Sequence, residues 1–170
     1  MILNEIPFVK NFPNFLSNDE CLKVIECHRD SYFQNHGALT NDSKSSFLYF
    51  KNKEHNEFLE ELNLHLNFQN RLLEHIKFSG KISNIWLNKQ TKNSMLKPHT
   101  HEDCQLSGVL YIKLDTNSSG IKFYHTKEYT IFPESGTLLI FPNWLMHSGS
   151  DNNLSEERIV LGFNIQQKVE

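Results

Sequence analysis

The sequence is poor in several residue types, and each shortage argues against a class of protein. Its three cysteines, Cys21, Cys27 and Cys104, form no Cys-x-x-Cys pair, so neither a disulfide framework nor a four-thiolate zinc site is predicted. Seventeen Lys and Arg against twenty Asp and Glu give a net charge of -3, which argues against nucleic-acid binding through phosphate neutralisation. No apolar run approaches the roughly 18 residues of a membrane span, and the N-terminus lacks the features of a signal peptide. We therefore predict a cytoplasmic protein with no membrane partner; the overall charge disfavours nucleic acid as a partner, and a local basic groove stays open.

The length leaves room for one hydrophobic core. With 170 residues, of which 38% are hydrophobic, we predict a single domain over residues 1–170. Ser17 and Glu20 have capping-box spacing, which predicts a helix from about Asn18 to His28, and an apolar stripe predicts one amphipathic helix over residues 54–78. Between them, residues 30–53 predict a loop with one short strand near residues 47–50. Residues 1–80 are thus expected to supply helical support and first strands.

After Gly80 the sequence changes to short runs of β-branched and aromatic residues separated by turn signals. This pattern predicts a β core over residues 81–168, built as an antiparallel sandwich or barrel. The predicted strands are 82–87, 106–114, 121–124, 129–132, 137–141 and 158–165.

Histidine is abundant, with nine in the chain, and it is the commonest metal ligand in proteins. His99 and His101 alternate, so on an extended strand both side chains would point to the same face. This spacing alone is weak evidence, because surface histidine pairs are common. Two further residues strengthen it: His147 follows several strands later, and Arg158, one of only three arginines, lies eleven residues beyond it.

These four parts fit the requirements of a ferrous oxygenase. A non-haem Fe(II) site takes three protein ligands and leaves the other positions open. A keto acid that chelates such an iron has a distal carboxylate, for which the planar fork of an arginine is a natural partner. The order of the residues therefore favours a metal site with an anion clamp.

Several segments together resemble the 2-oxoglutarate and Fe(II)-dependent dioxygenases, in particular a group of small prolyl-hydroxylase-like oxygenases of marine bacteria and phages. The resemblance covers residues 82–166, about half of the chain. The opening of the chain, residues 14–17 with Glu20 and Cys21, also resembles prolyl-hydroxylase-like members, although less specifically. The matching segments in the second half are 84–88 (NIWLN), 99–101 (HTH), 106–111 (LSGVLY), 133–136 (PESG), 139–147 (LIFPNWLMH), 156–158 (EER) and 162–164 (GFN).

The resemblance implies a mainly β fold with supporting helices, whose core is a double-stranded β-helix, also called a jelly roll, of the cupin-like kind. It implies Fe(II), 2-oxoglutarate and O₂ as cofactors and cosubstrates. His147 would be the distal iron ligand and Arg158 would bind the far carboxylate of 2-oxoglutarate. The same pocket would be lined by Asn88, Tyr111 and Asn164.

The remaining iron ligands can be written in two registers. The superfamily commonly has His-x-Asp or His-x-Glu, which His101 and Asp103 would supply, whereas the small group resembles His-x-His, which His99 and His101 would supply. Both registers share His101. Carboxylate and imidazole differ in charge, so the choice between Asp103 and His99 affects how positive the iron site is.

The function implied is an oxygenase that hydroxylates an unidentified substrate, either a small molecule or a protein side chain such as proline. We expect the loop over residues 30–53 to cover that substrate, and for a viral protein the location would be the host cytoplasm. Two alternatives stay open: a cupin-type metal-binding protein that is not an oxygenase, and a viral structural or interaction domain on the same fold. The oligomeric state is left open.

Overall fold

The computed structural model describes residues 6–35, 43–91, 94–114, 120–149 and 157–169. Within these ranges the chain forms two antiparallel sheets and four α-helices, and none of those helices is long and apolar enough to cross a membrane. The helices are α1 (Asn18–Glu26), α2 (Phe47–Phe50), α3 (Glu57–Leu66) and α4 (Phe68–Ile76). The strands are β1 (Lys10–Phe12), β2 (Gln34–Asn35), β3 (Lys44–Ser45), β4 (Gly80–Gln90), β5 (Leu96–His99), β6 (Leu106–Lys113), β7 (Ile121–Tyr124), β8 (Glu128–Ile131), β9 (Leu138–Pro142), β10 (Met146–Gly149) and β11 (Arg158–Gln167).

The first helix forms as its capping signal predicts. The hydroxyl of Ser17 accepts from the backbone N–H of Glu20, and the Glu20 carboxylate accepts from the backbone N–H of Ser17. Each bond satisfies a donor that the first helical turn leaves open. The helix ends at Glu26, two residues before the predicted end.

Two predictions for the N-terminal half are wrong. The single helix over residues 54–78 is broken into α3 and α4 at Asn67, whose φ of 49° and ψ of 43° are left-handed. Asparagine tolerates this conformation better than most residues, so it can end one helix and begin the next. The short strand predicted near residues 47–50 is the helical turn α2. Part of the predicted loop, residues 36–42, lies outside the described residues.

The larger sheet has the strand order β1-β9-β6-β11-β4-β3-β2, and the smaller has the order β5-β10-β7-β8. The long strand β11 lies at the centre of the larger sheet, where it pairs with β4 on one side and β6 on the other. Facing antiparallel sheets with this connectivity form a jelly roll. The prediction of a mainly β fold with a double-stranded β-helix core is confirmed.

The alternation of side chains along the larger sheet separates the core from the site. Leu161 and Phe163 of β11 are fully buried on the face that packs against the helices, together with Phe58 of α3 and Leu72 of α4. The alternate residues of β11, such as Val160 and Asn164, point the other way, toward the smaller sheet, because successive strand residues face opposite sides. The helices therefore stiffen one face of the sheet and leave the other face to line a cavity.

Candidate metal centre and cosubstrate pocket

Three histidines, carried by β5, β10 and the residues just after β5, come together beside the cavity between the sheets. The paired strands β5 and β10 place His99 and His147 directly opposite each other, with ring centres 4.3 Å apart. His101 follows just after β5 and is fixed by its backbone N–H, which donates to the Asn143 carbonyl oxygen at 3.0 Å. The possible ligand atoms of all three histidines lie within 4.8 Å of one another. The structure thus brings together the three histidines singled out in the sequence.

Hydrogen bonds fix which nitrogen of two of these rings is free to bind a metal. Nδ1 of His99 lies 2.7 Å from the carbonyl oxygen of Lys97, and Nδ1 of His147 lies 3.0 Å from that of Leu145. A carbonyl can only accept, so each Nδ1 carries the proton and donates it, and each neutral ring keeps its lone pair on Nε2. Nε2 of His147 lies 3.2 Å from Nε2 of His101. This donor set and its orientation fit a metal ion held by three imidazoles.

Burial keeps the three rings neutral. Loss of hydration lowers the pKa of His99, lowers that of His101 to about 4, and lowers that of His147 well below its ordinary value. The neighbouring imidazoles lower the pKa of His101 and His147 further. The neutral form is the one that binds metals, so the site needs no deprotonation at neutral pH.

Asp103 lies outside this group of three. It lines the same cavity, but its backbone is left-handed, with a φ of 56°, and its carbonyl oxygen accepts from Nε2 of Gln166 at 3.0 Å. The described residues therefore form a cluster in the His99 and His101 register rather than in the His101 and Asp103 register. His99 is therefore the candidate for the third metal ligand, and its role belongs to the proposed function.

The cavity between the sheets has a volume of about 510 Å³, within the range of small-molecule sites. It extends from the three imidazoles to the guanidinium of Arg158, and Asn88, Tyr111 and Asn164 all line it, as the resemblance implies. Asn164 also accepts from the hydroxyl of Ser107 at 3.3 Å. The cavity therefore joins a candidate metal centre to a candidate anion clamp.

Arg158 is only 2% exposed, at the start of β11. Its guanidinium carbon lies 5.3 Å from the ring centre of Tyr111, which is fully buried. Burial lowers the pKa of Arg158 and raises that of Tyr111 to about 12, and the Arg158 charge opposes the rise. The adjacent Glu157 carboxylate lies 3.5 Å from the Lys89 ammonium. A buried cation that lines a cavity is a candidate partner for an anionic ligand.

Sequence reasoning missed Gln90, the residue opposite Arg158 in the pairing of β4 with β11. Gln90 is 3% exposed and lines the cavity, and its Nε2 is buried without a hydrogen-bond partner among the described residues. The alternation of side-chain faces along β4 could have identified Gln90 from the sequence. Trp86 and Asn88 belong to a matching segment, and the next residue on the same face is Gln90.

Residues 122–164 match the model of a family described as "putative 2OG-Fe(II) oxygenase". The resemblance to the 2-oxoglutarate and Fe(II)-dependent oxygenases is confirmed. The matched segment includes His147, Arg158 and Asn164. No protein of curated function matches the chain in sequence.

Solved structures share the fold at low identity. A 2OG-Fe(II) oxygenase family oxidoreductase from Burkholderia pseudomallei superposes with a TM-score of 0.74 at 12% identity, over 95% of this chain and 86% of that one. The viral collagen prolyl hydroxylase of Paramecium bursaria Chlorella virus-1, solved with 2-oxoglutarate, superposes with a TM-score of 0.64 at 16% identity, over 95% of this chain and 97% of that one. The α-ketoglutarate-dependent epimerase of nogalamycin biosynthesis superposes with a TM-score of 0.66 at 11% identity, over 94% of this chain and 78% of that one. These likenesses show the jelly-roll fold for nearly the whole chain.

Proposed function

We propose that this protein is an Fe(II)- and 2-oxoglutarate-dependent oxygenase. The observation that carries the proposal is one cavity with three clustered imidazoles at one end and a buried arginine at the other. His99, His101 and His147 would hold the iron through nitrogen, a donor that suits Fe(II). Iron and 2-oxoglutarate, when bound, supply the O₂ activation that no protein side chain provides.

The roles of the protein's own residues follow from their positions. Arg158, with Tyr111 against its guanidinium, would bind the far carboxylate of 2-oxoglutarate and fix the direction in which the keto acid lies. Gln90 would offer its unpartnered N–H₂ to the same carboxylate. Asn88 and Asn164 also line the cavity and would contact cosubstrate or substrate there. The walls of the cavity would limit the access of bulk water to the reacting groups.

The reaction type proposed is hydroxylation. A prolyl hydroxylase is among the similar folds, but so is an epimerase, so the fold by itself does not select between these outcomes. Support for hydroxylation comes from the resemblance of the opening residues 14–17 to prolyl-hydroxylase-like members. The substrate class proposed is a protein or peptide side chain, with a small molecule as the alternative.

The substrate would enter past the described part of the loop predicted over residues 30–53. Ser45, Phe47, Lys51 and Asn52 all line the cavity, and they come from the part of residues 30–53 that the structure describes. A segment that covers one side of a catalytic cavity commonly selects what enters it. Replacing Lys51 and Asn52 by Ala should therefore change substrate affinity while leaving 2-oxoglutarate affinity unchanged.

A metal-binding protein that is not an oxygenase would need the three histidines but no buried arginine. The experiment that separates the two is succinate formation from 2-oxoglutarate in the presence of Fe(II) and O₂, with a panel of prolyl peptides and small polar compounds added in turn. We expect Fe(II)-dependent succinate formation that rises with the correct substrate. Tight metal binding without any succinate across the panel would contradict the oxygenase proposal.

A further inference from the structure

The ring of His101 is held differently from the other two imidazoles. His99 and His147 are each tethered through Nδ1 to a main-chain carbonyl. His101 instead interacts with the side chain of Asn164 and lies against the indole of Trp86, with 6.0 Å between ring centres and 23° between ring planes. A near-parallel stack of this kind constrains the tilt of the imidazole. The plane of His101 therefore depends on where Trp86 lies.

The position of Trp86 is itself fixed from two sides. On the inner face of the sheet, Trp86 is directly opposite Gly162 in the pairing of β4 with β11. A Cβ added at Gly162 would lie 2.6 to 2.7 Å from three atoms of the indole, so any other residue there would push the ring away. Phe47 of α2 meets the indole edge-on, with ring centres 4.8 Å apart. The indole is 6% exposed.

We propose that Trp86 is a positioning residue for the metal centre, and that Gly162 is glycine because the indole occupies the place of a side chain there. Trp86 touches neither the metal nor the cosubstrate in this assignment. It acts through His101, whose lone pair it aims at the point where the three imidazoles meet. The assignment rests on the metal-binding part of the proposed function.

The expected effect is on metal affinity. Partners that orient a metal ligand typically change affinity by about 10- to 100-fold when they are removed. We therefore expect Trp86→Leu to weaken Co(II) binding by about 10-fold or more and to change the visible absorption of bound Co(II), which reports coordination geometry. Trp86→Phe, which keeps an aromatic face, should recover most of the affinity.

The chain offers an internal probe, because its two tryptophans are Trp86 and Trp144. Trp144 is 51% exposed, so Trp144→Phe serves as the matched control and leaves Trp86 as the sole indole. In that background, Co(II) should quench the Trp86 fluorescence strongly. Adding Gly162→Ala should reduce the quenching and weaken Co(II) binding, although Trp86 is still present.

Thermal unfolding of the metal-free variants separates positioning from simple support of the fold. A purely structural Trp86 would lower the unfolding temperature in Trp86→Leu but leave the Co(II) affinity and spectrum of the folded fraction as in the parent. That result would overturn the assignment and leave the proposed function intact. Failure of the parent protein to bind Co(II) would overturn the three-histidine site and this assignment together.

Discussion

Replacement of Gln90 by Leu should make the protein more stable and a poorer binder of 2-oxoglutarate. The side chain is almost fully buried, and its Nε2 lacks a hydrogen-bond partner among the described residues. A buried polar group left unsatisfied costs about 1–3 kcal/mol, and leucine fills a similar volume without that penalty. For a domain of this size each kcal/mol corresponds to about 2–4 °C in Tm, so Gln90→Leu should raise the Tm of the ligand-free protein by several degrees.

The effect on cosubstrate binding should have the opposite sign. If Nε2 donates to the far carboxylate of 2-oxoglutarate, the bond is charge-assisted and contributes about 1.5–3 kcal/mol. Its loss corresponds to a Kd for 2-oxoglutarate that is about 10- to 150-fold higher. Gln90 would thus destabilise the ligand-free protein and strengthen the complex with 2-oxoglutarate. This combination is expected of a buried residue whose function is to bind a ligand.

The assay is calorimetric titration of the metal-loaded protein with 2-oxoglutarate under anaerobic conditions, together with thermal unfolding of the ligand-free protein. Gln166→Leu is the matched control, because Gln166 lines the same cavity near Asp103 and its Nε2 is already bonded there. The control should leave the Kd for 2-oxoglutarate within about threefold of the parent. An unchanged Kd in Gln90→Leu, or a lower Tm without ligand, would refute the reasoning.

Three further predictions concern the clamp, the ligand register and the pH dependence of folding. Arg158→Ala should raise the Kd for 2-oxoglutarate by at least about 30-fold while leaving Co(II) binding intact, as anaerobic titrations with each ligand will show. His99→Ala should weaken Co(II) binding by about 100-fold or more and Asp103→Asn by less than about threefold; the reverse order would favour the His-x-Asp register. The buried ring of His28, which lies 2.8 Å from the Ser46 hydroxyl, has its pKa lowered from 6.5 to about 4 because burial disfavours its charged form. Its neutral form is present in the folded state at neutral pH, so its contribution is complete above pH 6.5 and is lost as the pH falls toward 4. Urea unfolding of the metal-free protein should show this loss, by up to about 3 kcal/mol, and His28→Asn should show a shallower slope over the same pH range.

The β core could be predicted because its signals are local. Six runs of β-branched and aromatic residues became six strands with ends shifted by a few residues, and the run at residues 121–124 matched β7. Each of these runs has apolar residues dense enough to indicate a buried strand by itself. The turn signals between them indicated where one strand ends and the next begins.

The two strands that carry the metal centre were not among those runs. β5 has the sequence Leu96–His99 with a lysine and a proline, and β10 is only four residues long with Met146 exposed. Neither strand has the apolar content of a core strand: β5 has no fully buried residue, and the residues that β10 buries are His147, Ser148 and Gly149. Patterns of apolar residues therefore fail to predict a strand where its inward-facing residues form the functional site and not the hydrophobic core.

The histidines and the arginine were found from spacing and resemblance, whereas the contacts that orient them were not. The stack of Trp86 on His101 depends on Gly162, which lies 76 positions away in sequence and becomes its neighbour only through the pairing of β4 with β11. Likewise, the unpartnered nitrogen of Gln90 is visible only once its surroundings are known. Such long-range pairings carry no local sequence signal.

The most direct test of the oxygenase proposal is optical titration of the protein with Fe(II) and then 2-oxoglutarate in the absence of O₂. We predict a metal-to-ligand charge-transfer band in the visible region that requires both additions, is lost in His147→Ala and needs much more 2-oxoglutarate in Arg158→Ala. Admission of O₂ should then bleach the band as succinate forms. No band at saturating Fe(II) and 2-oxoglutarate would contradict the proposal that this cavity binds the two together.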